Sequence, residues 1–140
     1  MKKLILVLVA IGFIATAATT KWSFSNEKVS KGYALGVDKN KECIDACNAC
    51  IASCKKVDKM CSKEKNATMA ECQKLCKECI TACKACVKSM KSKSADCKTK
   101  CSDCAKTCEK CAAECDKFDN ADCKKCATDC RTAAKHCNEM

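Results

Sequence analysis

From Asn40 to the end of the chain the apolar positions recur in alternating steps of three and four, and most of them are cysteine. A first set holds Cys43, Cys47, Cys50, Cys54 and Cys61, and a second Cys72, Cys76, Cys79, Cys83 and Cys86. A third holds Cys97, Cys101, Cys104, Cys108, Cys111 and Cys115, and a fourth Cys123, Cys126, Cys130 and Cys137. Where a set misses a turn, the position carries Val57 or Ala133, so the apolar stripe continues without a thiol. Steps of three and four place side chains along one seam of an α-helix. A strand would alternate faces at every second residue.

The breaks between sets divide the pattern into four helices, expected at about 40–62, 68–91, 95–117 and 121–138. Asp38 or Asn40 can cap the first, and Ser92 or Ser94 the third. Thr68-Met69-Ala70-Glu71 has the spacing of a capping box for the second, and Asp119 or Asn120 can cap the fourth. The connections "SKEKNA", "KSKS" and "FDN" are short, which makes successive helices antiparallel neighbours. The expected fold is all-α: an up-down-up-down antiparallel four-helix bundle over residues 39–140 with a Cys-lined core.

Composition agrees. The 140 residues include no Pro and three Gly, and Ala, Lys and Glu favour long helices. The 20 Cys exceed what an ordinary domain carries. The N-terminus reads as a general secretory signal peptide over residues 1–17. Lys2 and Lys3 precede an eleven-residue apolar run, Leu4 to Ile14, and Ala15-Thr16-Ala17 offers a cleavage site. The run is short for a bilayer span, so no stable membrane span is expected after cleavage. Residues 18–38 lack Cys, hold Trp22, Phe24 and Tyr33, and read as a linker or N-terminal arm. The expected localisation is exported, periplasmic or extracellular.

Without Lys2 and Lys3, 25 basic side chains face 17 acidic ones, a mature net charge of about +8. Nucleic acid is not the expected partner: the lysines are spread through every segment and no aromatic residues interleave them for base stacking. A single His and no nucleophile constellation argue against an enzyme.

The seam has to be held by something beyond aliphatic packing. Ile44, Ile51, Val57, Leu75, Ile80, Val87, Phe118 and four Met supply only part of a core. Thiols pack as small hydrophobes, and each missing buried methylene forfeits roughly 1 kcal/mol. Disulfides suit an exported chain, but residues one turn apart on a helix have Cβ atoms ~5–6 Å apart where a disulfide needs ~3.5–4.5 Å. Metal fits the spacing better. Two thiolates on opposite sides of an ion at ~2.3 Å are about 4.6 Å apart. Soft thiolates select Cu(I), Zn(II) or iron–sulfur clusters, and no localised iron–sulfur quartet stands out. One monovalent ion per bridging thiolate leaves a neutral core, whereas tetrahedral zinc sites with four thiolates would each carry −2. A zinc- or cadmium-sequestering bundle and a disulfide-stapled structural protein remain the alternatives.

The pairs Cys43/Cys47, Cys50/Cys54, Cys72/Cys76, Cys79/Cys83, Cys97/Cys101, Cys104/Cys108, Cys111/Cys115 and Cys126/Cys130 resemble those of the cysteine-rich four-helix-bundle copper storage proteins. The resemblance implies inward-facing Cys that bind many Cu(I) ions. It also makes a homo-oligomer and a copper-delivery or copper-accepting protein the candidate partners. Exported members can carry a twin-Arg signal, and this chain has no such Arg pair.

An up-down-up-down bundle gathers Met90, His136 and Met140 at one end. Met90 follows Cys86 by four residues and Met140 follows Cys137 by three, so both prolong a stripe. Thioether and imidazole ligate copper more weakly than thiolate, which suits an entrance. The opposite end gathers Val57, Met60, Met69 and Phe118, with Phe118 expected to plug the third stripe and the two Met to be core. The expected metal ligands are thus all 20 Cys with His136, Met90 and Met140.

Overall fold

A computed structural model describes residues 38–64 and 67–140. The expected signal peptide and all but the last residue of the expected arm lie outside the described residues. Four helices follow in order: α1 (Lys39–Glu64), α2 (Ala70–Ser92), α3 (Cys97–Cys115) and α4 (Ala121–Asn138). A 3₁₀ turn, Ala67–Met69, leads into α2. Among the described residues there is no strand, and no helix is long and apolar enough to cross a membrane.

The start of α1 is held as its sequence suggests: the Asn40 N–H donates to Asp38 Oδ1 at 3.1 Å. At α4 the Asn120 side chain accepts from the N–H groups of Asp122 (2.8 Å) and Cys123 (3.4 Å). These oxygens satisfy amides that the first helical turn leaves without an intrahelical partner. Two caps differ from expectation. The N-cap of α2 is Met69 rather than Thr68, because the chain enters through the 3₁₀ turn, and Met69 has no side chain that can cap. The N-cap of α3 is Asp96; Ser92 is instead the last residue of α2, and Ser94 hydrogen-bonds Asp96 within the turn. That turn reverses through Lys93, in the left-handed region at φ 49°, where its N–H reaches Met90 O (3.2 Å) and the Ser94 N–H reaches Ser89 O (3.0 Å). This is a Schellman closure with lysine at the position glycine usually fills.

Each helix packs against its sequence neighbours, and α1 also packs against α4, closing a square bundle. Nineteen of the Cys are buried in its centre, and only Cys97, at the start of α3, is half-buried. Val57 and Ala133 are fully buried, so the thiol-free turns do lie in the core. Ile44, Ile51, Leu75, Ile80, Met60, Phe118 and Met140 pack against the core from its margins. Alanines flank the thiol stripe: Ala105 and Ala112 on α3, Ala127 and Ala134 on α4, all nearly inaccessible. Interaxial distance depends on the side chains at the contact, so alanine lets neighbouring helices approach. That narrows the tube to a width that thiols can fill.

Polar clamps fix the relative rotation of the helices. Ser53 on α1 donates to Asp129 on α4, which also accepts from Lys125 Nζ at 2.9 and 3.1 Å. Gln73 on α2 donates to Asp58 Oδ1 (2.8 Å) and Ser62 Oγ (2.6 Å) on α1. The Arg131–Asp116 pair joins α4 to the end of α3.

Candidate metal centre

The thiol column is built by helical period: every stripe Cys points inward because its neighbours three and four residues away do. Within a helix, the Sγ atoms of Cys50 and Cys54, of Cys104 and Cys108, and of Cys126 and Cys130 are each 3.9 Å apart. Between helices the approach is as close or closer. Cys86 and Cys101 are 3.3 Å apart, Cys50 and Cys130 3.4 Å, and Cys54 and Cys126 3.5 Å. The column continues through Cys79–Cys108 and Cys83–Cys104 at 3.5 Å, Cys76–Cys111 at 3.7 Å and Cys72–Cys115 at 3.8 Å.

All 20 Cys are free thiols. Neither circumstance that would exclude a metal-binding core holds: the sulfurs are not on the outer faces, and they are not joined in covalent pairs.

Spacing within Cys-x-x-x-Cys pairs is shorter than the ~4.6 Å of a linear clamp. At a metal–sulfur distance of ~2.3 Å, an ion shared by three sulfurs needs them about 4.0 Å apart. The observed 3.9 Å separations sit near the three-coordinate value, because sulfurs from neighbouring helices crowd each pair. Each helix therefore offers sulfurs that an ion could share with those of adjacent helices.

Sulfurs group into quartets whose members all lie within 4.8 Å of one another. Two of these are Cys50/Cys79/Cys83/Cys108 and Cys50/Cys54/Cys79/Cys130. Two others are Cys54/Cys111/Cys126/Cys130 and Cys76/Cys111/Cys115/Cys126. They overlap, so they cannot all be separate tetrahedral sites at once. Shared sulfurs imply bridging, which suits a low-valent soft ion.

Electrostatics follow from this crowding. Hydrogen bonds from Cys108, Cys130, Cys54 and Cys79 favour the thiolate at Cys50 and lower its pKa. Cys54 sits on the other side of the same exchange, and its hydrogen bonds with Cys111 and Cys126 hold it protonated. At the far end burial pushes Cys61 up to about 11 and Cys123 up to about 12, with the charge of Cys72 adding to both. A buried thiolate without a counter-ion is costly, so the metal-free core favours protonated sulfur overall.

At the expected entrance, Cys43, Cys47, Cys86 and Cys137 form a further quartet. Met90 is buried in the same core and Met140 packs partly against it. His136 is half-buried, with Nδ1 3.9 Å from Glu42 Oε2 and 3.8 Å from Glu139 Oε2. The sequence reading missed these two carboxylates. Their signal was positional: Glu42 precedes Cys43, and Glu139 lies one turn beyond His136. At the opposite end Met69 is buried, while Met60 and Phe118 are partly buried against the core.

A family model described as copper storage protein matches residues 37–140. The chain is similar to the Cu(I)-bound copper storage protein BsCsp3 of Bacillus subtilis, at 35% identity and a TM-score of 0.70 over 73% of this chain and 97% of that one. The apo form of that protein aligns at 35% identity and a TM-score of 0.67, covering 72% of this chain and 97% of that one. A crystal structure of a Nitrosospira multiformis protein aligns at 29% identity and a TM-score of 0.66, covering 73% and 94% of the two chains. No curated protein matches the chain.

Proposed function

The chain belongs to the copper storage protein family, and on that premise we propose that it is an exported copper store whose core cysteines hold many Cu(I) ions as cargo. The observation that carries this reading is the overlap of the sulfur quartets, in which Cys50, Cys54, Cys79, Cys111, Cys126 and Cys130 each belong to two. Overlap favours bridging thiolates, and bridging with monovalent ions cancels charge along the axis. Twenty thiolates then hold on the order of twenty Cu(I).

Each Cu(I) that binds displaces one thiol proton. The core therefore exchanges S–H for S–Cu with no net change in charge, and the ions fill space that small side chains leave. Bound copper is taken up and released without turnover. Met90, His136 and Met140 form the entrance, where weaker thioether and imidazole donors pass the ion inward to Cys43, Cys86 and Cys137. The signal-like segment Lys2 to Ala17 supports export.

The test is an anaerobic titration of reduced, metal-free protein with Cu(I) and with Zn(II), beside a free-thiol count of the protein as isolated. Binding near one Cu(I) per Cys is expected. About five tightly held zinc ions and weak copper binding would favour zinc sequestration, and absence of free thiols would favour a disulfide-stapled bundle.

A further inference from the structure

Lysines occur in every segment of the sequence, and one lysine-rich stretch comes to a single end of the fold. Between positions 84 and 100 the α2–α3 hairpin carries six lysines and a single acid, Asp96. Lys84, Lys88, Lys91, Lys93 and Lys98 are exposed and Lys100 is half-buried. Among the described residues none of the six is in an ion pair, a state they share with Lys55, Lys56 and Lys59 at the far end. Two surface grooves flank the C-terminal half of α2. One runs over Ile51 and Val87 beside Lys84, Lys88 and Lys91, and the other over Ser89 and Ser94 beside Lys88 and Lys100. The α1 and α4 side of the same bundle end is mixed in charge, with Glu42 and Glu139 among exposed Lys39, Lys41 and Lys135.

This patch surrounds the one thiol that is not fully buried. Cys97 opens α3 immediately after the lysine turn, one helical turn before Cys101, whose sulfur is 3.3 Å from Cys86. Met90, between Lys88 and Lys91, is buried at the same end. A second lysine run at the far end, Lys56, Lys59 and Lys63, shares its groove with Asp122 and has no half-buried thiol beside it.

We propose that the α2–α3 hairpin is a docking surface for the acidic face of a copper-carrying protein, and that Cys97 is the first cysteine of the bundle to bond the delivered ion. The proposal rests on the reading of this end as the entrance. Charge complementarity steers encounter and fixes orientation more than it adds affinity. The α2–α3 side of the mouth carries six lysines against one acid and the α1–α4 side is mixed in charge, so an acidic partner is drawn to the hairpin. Transfer is a ligand exchange at constant oxidation state. The Cys97 thiol gives its proton to solvent and its sulfur bonds Cu(I). A carrier Cu–S bond then breaks, and the released carrier thiolate takes up a proton. Cys101 and Cys86 repeat the exchange inward.

The test uses the full bundle, reduced and metal-free, with two synthetic Cys-x-x-Cys peptides loaded with Cu(I). One peptide is flanked by Glu and the other by Lys. Loading rates are read by stopped flow at low and at ~0.5 M salt. The expected result is loading about tenfold faster from the Glu peptide at low salt, a gap that closes at high salt. Lys88→Glu/Lys91→Glu/Lys93→Glu reverses the order. Lys55→Glu/Lys56→Glu/Lys59→Glu, an equal charge change at the far end, does not. Equal rates from the two peptides in the unsubstituted protein, or equal effects of the two triple variants, overturn the docking patch. So does retention on phosphatidylglycerol vesicles that the hairpin variant abolishes while the peptide order stays unchanged, which assigns the patch to lipid. Cys97→Ser/Met90→Trp slows loading from both peptides alike. If it slows neither, the entrance reading fails, and with it the inward route through Cys97. Helicity and thiol count confirm that each variant is folded.

Discussion

The Sγ atoms of Cys50 on α1 and Cys130 on α4 lie 3.4 Å apart although 80 positions separate them in sequence. Cys50 also lies 3.5 Å from Cys79 on α2 and 4.0 Å from Cys108 on α3. One buried thiol thus meets sulfurs from all three other helices. On the proposed reading a residue in this position is a shared ligand, and its loss removes a bridge rather than one end of one site.

Cys50→Ala is therefore expected to lower copper capacity by about two ions, because Cys50 belongs to two overlapping quartets. Cys61→Ala, at the far end, lowers it by about one. Native mass spectrometry after anaerobic loading reads both counts. The metal-free Cys50→Ala protein loses about 1 kcal/mol in urea melts, the cost of a small cavity.

Val57 occupies a thiol-free turn of the α1 stripe and is fully buried. Val57→Cys adds a sulfur to the column and raises capacity by about one ion, at a cost to the metal-free protein of about 1 kcal/mol. Unchanged capacity would mean that this turn does not face the shared axis.

Copper takes the place of aliphatic filling, so loading stabilises the bundle. A single site with free ligand at ~1,000 times its dissociation constant adds about 4 kcal/mol, and each kcal/mol shifts the melting temperature of a domain this size by roughly 4–8 °C. Thermal melts by circular dichroism are expected to rise by at least about 15 °C on loading and to fall back when a Cu(I) chelator strips the metal.

Stability of the metal-free protein is expected to depend on alkaline pH. Cys61 and Cys123 are raised from the ordinary 9.0 to about 11 and about 12, so the folded state binds these protons more tightly than the unfolded chain. Their contribution is fully present below pH 9 and is lost as pH climbs through 11 to 12. Urea midpoints in excess reductant should drop as pH climbs from 9 to 12. Copper-loaded protein, whose sulfurs carry no titratable proton, should show no such drop over the same window.

The fold was legible in the sequence because thiol periodicity and helix periodicity coincide: steps of three and four at Cys97, Cys101, Cys104, Cys108, Cys111 and Cys115 admit one seam on one kind of element. Asp38 and Asn120 were each legible as one of two candidate caps, with Asn40 and Asp119 the others, because a short polar side chain before an apolar stripe has a local job. The start of α2 was not, because a 3₁₀ entry moves the boundary past the box at Thr68. Nor was the register between helices, and it is the register that decides that Cys50 meets Cys130 rather than Cys126. Register depends on the packing of Ala105, Ala112, Ala127 and Ala134 and on clamps such as Ser53–Asp129. These side chains look unremarkable until the helices face one another. The lysine patch was legible in part: the stretch 84–100 is lysine-rich in the sequence itself, but its place beside half-buried Cys97 at the bundle end follows from the α2–α3 turn.

The most direct test of a neutral, sulfur-bridged copper column is copper-edge X-ray absorption on the fully loaded protein. The expected spectrum has the edge of Cu(I), a first shell of two to three sulfurs at ~2.3 Å, and a copper–copper shell from ions that share thiolates. A first shell dominated by nitrogen or oxygen, or isolated copper centres with no metal neighbour, would contradict it.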